Sequence, residues 1–171
     1  MTHSPRAKRS APETTGRWLR ITGIILAFLG LLVAAYMSWS ELSGIPTSCP
    51  GGTEGAIGQP GALAIDCGFV QNSVYARIIG IPVALLGFAG YLAILLLWIF
   101  QDRAVFLREY SHALIFGLAL FGFLFSLYLT YTELFLIYTI CTWCVTSAIL
   151  MTLVFIIATI RLVQFMRNPA I

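Results

Sequence analysis

A chain of 171 residues in which 59% are hydrophobic and only 10% charged lies outside the composition of water-soluble domains, so its fold has to satisfy lipid rather than water. The formal net charge of +3 comes from basic residues beside apolar stretches. That is a topology signal, and it gives no reason to invoke nucleic acid.

In chain order, residues 1–16 are basic and rich in Ser, Thr and Pro, which predicts a disordered cytoplasmic tail. The apolar run 21–40 is long enough to cross a hydrocarbon core of about 30 Å. It exceeds the roughly 7–15 residues of a signal-peptide core, and only Val33-Ala34-Ala35 offers a weak cleavage site, so a retained helix is expected. The segment 41–77 differs in kind: Gly44, Pro46, Pro50, Gly51, Gly52, Gly55, Gly58, Pro60 and Gly61 discourage regular structure. From Cys67 the pattern turns apolar again and predicts a short surface helix leading into a second span at 78–100. Between Ala113 and Ile160 the only charged residue is Glu133. Those 48 residues would make a helix of about 72 Å, too long for one crossing. The chain must turn back, and Thr130-Tyr131-Thr132-Glu133 is the predicted place, because a turn there keeps the charge out of lipid. Spans at 113–131 and 134–160 then form a tight hairpin, followed by a tail at 166–171.

The predicted fold is an all-α membrane protein, a four-transmembrane-helix bundle with a catalytic domain over 17–165 and a long extracytoplasmic loop between its first two helices. Gly87, Gly90, Gly117 and Gly122 are expected to permit close helix approach, and Trp18, Trp39 and Tyr131 to anchor at the interfaces. Orientation follows from the basic residues. Arg6, Lys8, Arg9, Arg17 and Arg20 precede the first span, Arg103 and Arg108 lie between the second and third, and Arg161 and Arg167 follow the fourth. The positive-inside rule puts those regions in the cytoplasm. Segment 41–77 and the 130–133 turn then face outward with Arg77, Glu41, Glu54, Asp66 and Glu133. A bacterial inner membrane is the expected site.

All four cysteines fall at that outer face, where disulfides persist. Cys141 and Cys144 form a Cys-Thr-Trp-Cys motif, read as a few residues into the fourth helix. Helical neighbours at that spacing have β-carbons about 5–6 Å apart, whereas a disulfide wants about 3.8 Å. A bond between them is strained, and strain marks a labile, working disulfide. The plainer alternative is two small apolar side chains packed in a bundle. Cys49 and Cys67 enclose 17 residues, and a structural disulfide there would reduce loop entropy by about 3 kcal/mol. A flexible loop would equally carry a sulfur to the Cys141 pair, as thiol exchange requires. Zinc sites pair two closely spaced C-x-x-C units, and this spacing fits poorly, so no metal is expected.

The run Asp66-Cys67-Gly-Phe-Val-Gln-Asn-Ser73-Val-Tyr75-Ala-Arg-Ile-Ile-Gly80-Ile-Pro82-Val-Ala-Leu-Leu-Gly87, followed by Cys141-Thr-Trp-Cys144, resembles the vitamin K epoxide reductase family, most of all its prokaryotic quinone-reducing members. The resemblance covers roughly residues 20 to 160. It implies that Cys141 and Cys144 are the active-site pair beside a quinone, with Cys144 nearer the ring. Cys49 and Cys67 are the implied shuttle, Cys67 meeting an external thiol and Cys49 relaying to Cys141. It also implies that Ser73 lies near the substrate; apart from the family, Ser73 is an ordinary hydroxyl opening a helix. Trp143 is a candidate for the quinone pocket or for packing. Ala148 stands where the vertebrate enzymes have tyrosine, so a quinone (menaquinone, ubiquinone or phylloquinone) is favoured over the epoxide. The implied partner is a separate thioredoxin-fold protein. The rival reading is a non-enzymatic four-helix membrane protein whose structural loop disulfide supports binding of an extracellular partner.

Overall fold

The computed structural model describes residues 11–45, 47–52, 64–101 and 105–167. Four helices carry the fold: α1 (Ala11–Ser43), α3 (Val83–Phe100), α4 (Val105–Thr132) and α5 (Thr142–Arg167). The short α2 (Cys67–Gln71) precedes α3 as expected. Gly16–Ser43, Val83–Phe100, Tyr110–Ile137 and Thr142–Arg167 are each long and apolar enough to cross a membrane, and the chain is a multi-pass membrane protein. At about 1.5 Å per residue α1 is about 50 Å long. It begins at Ala11, so residues 11–16 of the expected tail are helical. Residues 1–10 and 168–171, and with them the remainder of both expected tails, lie outside the described residues, as do Pro46, Glu54, Gly55, Gly58, Pro60, Gly61 and Arg103.

α1 packs along α3 and α5, and α4 packs along α5. The α1–α3 contact depends on two glycines seven residues apart, hence on one helix face. A β-carbon on Gly23 would meet the Trp98 ring at 2.6 Å, and one on Gly30 would overlap the Tyr91 ring. Trp98 and Tyr91 are each 1% exposed. They form the middle of the bundle with Ala27, Ile94, Ala119, Met151, Val154 and Ala158. The Tyr91 hydroxyl donates to the Ser147 carbonyl at 2.7 Å, tying α3 to α5. The Arg20 guanidinium donates to the Trp98 carbonyl at 3.0 Å, satisfying an end-of-helix acceptor.

The glycines expected to bring helices together behave differently. Only Gly122 is crowded, with Met151 Sδ 2.9 Å from a β-carbon built there, while Gly87, Gly90 and Gly117 have nothing within 4 Å. A glycine draws helices together only where a bulky side chain sits over it. The bulky rings of α3 sit over glycines of α1, and Gly87 and Gly90 of α3 face open space.

The predicted turn at 130–133 is also displaced. α4 runs on into a π-helical turn, Glu133–Ile137, and the chain reverses at Tyr138, which takes left-handed φ 54° and ψ 28°. Strand β4 (Thr139–Ile140) follows, and α5 starts at Thr142. The charge that was expected to force the turn is instead sheltered inside the bundle: Glu133 is 5% exposed, and its Oε2 accepts the Cys141 N–H at 3.1 Å. The reversal places β4 parallel to β1 (Ala64–Ile65), with Ala64 opposite Thr139 and Ile65 opposite Ile140. A second short pair, β2 (Arg77–Ile78) with β3 (Ile81–Pro82), is antiparallel. Its turn is Ile79-Gly80, both at positive φ, 53° and 82°.

Candidate functional site

The β1–β4 ladder determines where the sulfurs lie. β1 leads through Asp66 into Cys67, β4 leads directly into Cys141, and the two backbones are joined by Ala64 N–H to Tyr138 O at 3.3 Å and Asp66 N–H to Ile140 O at 3.2 Å. Asp66 then caps α2, its carboxylate accepting the Phe69 N–H at 2.9 Å. Cys67 and Cys141 thus emerge side by side from adjacent strands. They are 1% and 0% exposed and share one apolar cluster with Met37, Val70 and Ile137, against which Cys49, Trp143 and Cys144 pack. All four cysteines meet at one end of the bundle.

Cys49 and Cys67 are disulfide-bonded with Cα atoms 5.5 Å apart, and Cys141 and Cys144 are free thiols. Cys141 does not lie inside the last helix. It caps it: its carbonyl accepts the Val145 N–H at 3.0 Å, and its Sγ accepts the Cys144 N–H at 3.2 Å. The sulfur takes the place of an N-cap oxygen. The positive end of the α5 dipole and an N–H donor therefore meet any negative charge that develops there.

The other half of the loop is tied down by side chains. Ser40 Oγ and Thr47 Oγ1 are 2.6 Å apart, Thr47 donates to Gln71 Oε1, and Gln71 Nε2 donates to the Met37 carbonyl at 3.4 Å. Ser40, Thr47 and Gln71 are all buried, so this network joins α1, the loop and α2. Beyond Thr47 the loop rests on α5 through weaker ties. Trp143 Nε1 donates to the Ser48 carbonyl at 3.1 Å, and Thr142 Oγ1 donates to the Pro50 carbonyl at 3.3 Å. The Trp143 ring packs on Tyr36 with centroids 5.2 Å apart.

Beside the sulfurs lies a cavity of about 450 Å³, within the size range of small-molecule sites. Val33, Ala34, Tyr91, Ala148 and Met151 line its inner part. Cys144, Ser73, Trp143, Ser147, Glu41 and Glu133 also reach it. Leu86 on α3 and Leu118 and Phe121 on α4 belong to its wall and are also exposed on the outside of the bundle, Phe121 at 70%. The cavity therefore opens on the lipid-facing flank between α3 and α4, where Gly87 and Gly90 leave room. Cys144 borders this space, and Cys141 shares its apolar cluster with the loop disulfide.

Of the residues singled out from sequence, the four cysteines converge as expected. Ser73 lines the cavity with its hydroxyl donating to the Val70 carbonyl at 2.7 Å. Trp143 borders the cavity and also pins the loop. Sequence reasoning missed Glu133, which it treated as a turn residue. The signal was its standing as the one charge in a long apolar stretch, since a carboxylate is held among helices only where donors meet it. It also missed the Ser40–Thr47–Gln71 network, which no spacing pattern announces. The sequence model of the vitamin K epoxide reductase family matches residues 21–159, from the early part of α1 to near the end of α5.

Proposed function

The chain belongs to the vitamin K epoxide reductase family, and on that premise we propose that it is a quinone-linked thiol oxidase. In this reading it oxidises dithiols of a thioredoxin-fold partner at the outer membrane face and passes the electrons through its two cysteine pairs, supporting disulfide formation. The observation that carries this is the single buried cluster in which the Cys49–Cys67 disulfide packs beside the free Cys141 and Cys144. Thiol exchange needs direct attack of one sulfur on another, and a shared cluster provides for it.

A partner thiolate attacks Cys67, which frees Cys49. Because Cys67 is 1% exposed, residues 48–52 must first withdraw. The partner's second thiol displaces Cys67 from their mixed disulfide, and the oxidised partner leaves. Cys49 attacks Cys141 of the oxidised helix pair, expelling the Cys144 thiolate. The freed Cys67 then closes on Cys49, leaving Cys141 at the helix terminus that favours a departing thiolate. The loop pair is then oxidised and the helix pair reduced, the pairing present in the structure. A quinone supplies a two-electron, two-proton acceptor. The residues around the cavity fit one: apolar walls suit the ring, the opening between α3 and α4 suits a lipid tail, and Cys144 stands at the wall. Over a cycle two partner thiols lose two electrons and two protons, and the acceptor gains the same. Menaquinone, ubiquinone and phylloquinone share this chemistry. The charge distribution supports an orientation with both termini in the cytoplasm and the cysteine end outside, in a bacterial inner membrane.

The test is Cys144→Ser in the full chain, assayed for quinone reduction by a reduced thioredoxin-fold dithiol and for trapped disulfides on a non-reducing gel. A Cys49–Cys141 adduct and no turnover are expected. Unimpaired turnover would refute the route, and a fully dispensable Cys141 pair would favour the non-enzymatic partner-binding protein.

A further inference from the structure

Oxidising the Cys141–Cys144 pair requires two protons to leave a site walled by apolar side chains, and one acidic group is built into its back. Glu133 is 5% exposed and sits in the π-helical turn Glu133–Ile137. The wider turn swings its side chain back towards the start of α5, where Oε2 accepts the Cys141 N–H at 3.1 Å. Glu133 borders the cavity that Cys144 borders. π-helical turns are rare and gather at functional sites. The second carboxylate on that cavity, Glu41 of α1, is engaged with Arg77 at 3.6 Å, whereas Glu133 is hydrogen-bonded to the backbone of the thiol pair. Tyr75 and Tyr91 are the other ionisable side chains on the wall.

We propose that Glu133 is the proton acceptor of the Cys141–Cys144 pair, taking the proton that leaves each thiol and releasing it into the cavity. The proposal rests on the thiol-oxidase reading above and adds the path of the proton to it. In the balanced step both S–H bonds break, one S–S bond forms, and two electrons and two protons leave. The electron-accepting ring takes up two electrons and two protons, while Glu133 carries one proton at a time and ends as the carboxylate it began as. The bond to the Cys141 N–H keeps the carboxylate aimed at the sulfurs between transfers.

The test uses the full chain in lipid nanodiscs with Glu133→Gln, Glu133→Asp and Glu133→Leu. Glutamine keeps an oxygen for the Cys141 N–H and removes only the proton-accepting charge. Two measurements separate that role from packing: single-turnover reduction of a short-chain benzoquinone by prereduced protein, and, without quinone, the rate at which iodoacetamide alkylates Cys144. Turnover by Glu133→Gln is expected to fall about a hundredfold, as for a lost proton acceptor. Alkylation is expected to rise, because removing a neighbouring negative charge favours the thiolate. Glu133→Asp should recover part of the turnover, and Glu133→Leu should not. Wild-type turnover in Glu133→Gln would overturn the proposal, as would a parallel fall in both rates. A wild-type protein that never reduces quinone would instead defeat the quinone-oxidase reading, with the alkylation rates still deciding for or against Glu133.

Discussion

Replacing Trp143 with Phe removes one N–H and keeps a ring. The indole Nε1 bond to the Ser48 carbonyl at 3.1 Å is lost, and the packing against Tyr36 is largely retained. Ser48 is exposed, so water replaces the donor, and the loss is that of an ordinary net hydrogen bond, about 1 kcal/mol. That loss falls on one segment, residues 48–52, which besides the Cys49–Cys67 disulfide is tied to α5 by the longer Thr142 hydrogen bond to Pro50 at 3.3 Å. A change of about 1 kcal/mol shifts the opening equilibrium of the segment about fivefold. Cys67 is shielded until the segment opens, so reduction of Cys49–Cys67 by a small dithiol should quicken by about that factor. The assay blocks Cys141 and Cys144 with a maleimide, adds dithiothreitol in excess, and counts new thiols by a mass-shifting reagent over time. An unchanged rate would refute the claim that the Trp143 bond holds the loop closed. So would a faster rate accompanied by a lower unfolding temperature for the whole bundle.

Two further outcomes follow from the packing. Gly30→Leu forces a branched side chain into the space held by Tyr91 and should destabilise the bundle by about 1–3 kcal/mol, the usual cost of overpacking, read as a lower unfolding temperature in detergent. Gly90→Leu meets nothing within 4 Å at its β-carbon and should fold normally, yet it narrows the opening between α3 and α4. KM for a long-tailed quinone should rise about tenfold, one added side chain's worth of lost fit, while trapping of the Cys49–Cys141 adduct in a Cys144→Ser background stays unchanged.

The four spans were legible because lipid leaves the backbone one solution, and a run of about 20 apolar residues announces it. The meeting of the four cysteines was legible for the same reason, since charge and hydropathy sent both pairs to one end. The reversal was not. It occurs at Tyr138, a residue with no preference for left-handed backbone, and it moved Cys141 from inside a helix to its cap. The sequence rule that a lone charge marks a turn failed at Glu133 because it assumes that nothing inside offers the carboxylate a donor, and the Cys141 N–H does. Gly23 and Gly30 escaped notice because a glycine's role depends on what lies opposite, and Trp98 and Tyr91 are more than 60 positions away in the chain.

The parallel ladder also makes the loop mechanically unequal. Backbone bonds from Ala64 and Asp66 clamp the Cys67 side to the strand that enters Cys141, while residues 48–52 are held to α5 by two side-chain bonds, from Trp143 and Thr142, and contain Gly51 at φ 79° and Gly52. One jaw of the disulfide is therefore fixed and the other swings. A fixed jaw preserves register with the helix pair through every cycle, so each stroke requires only the short arm to move.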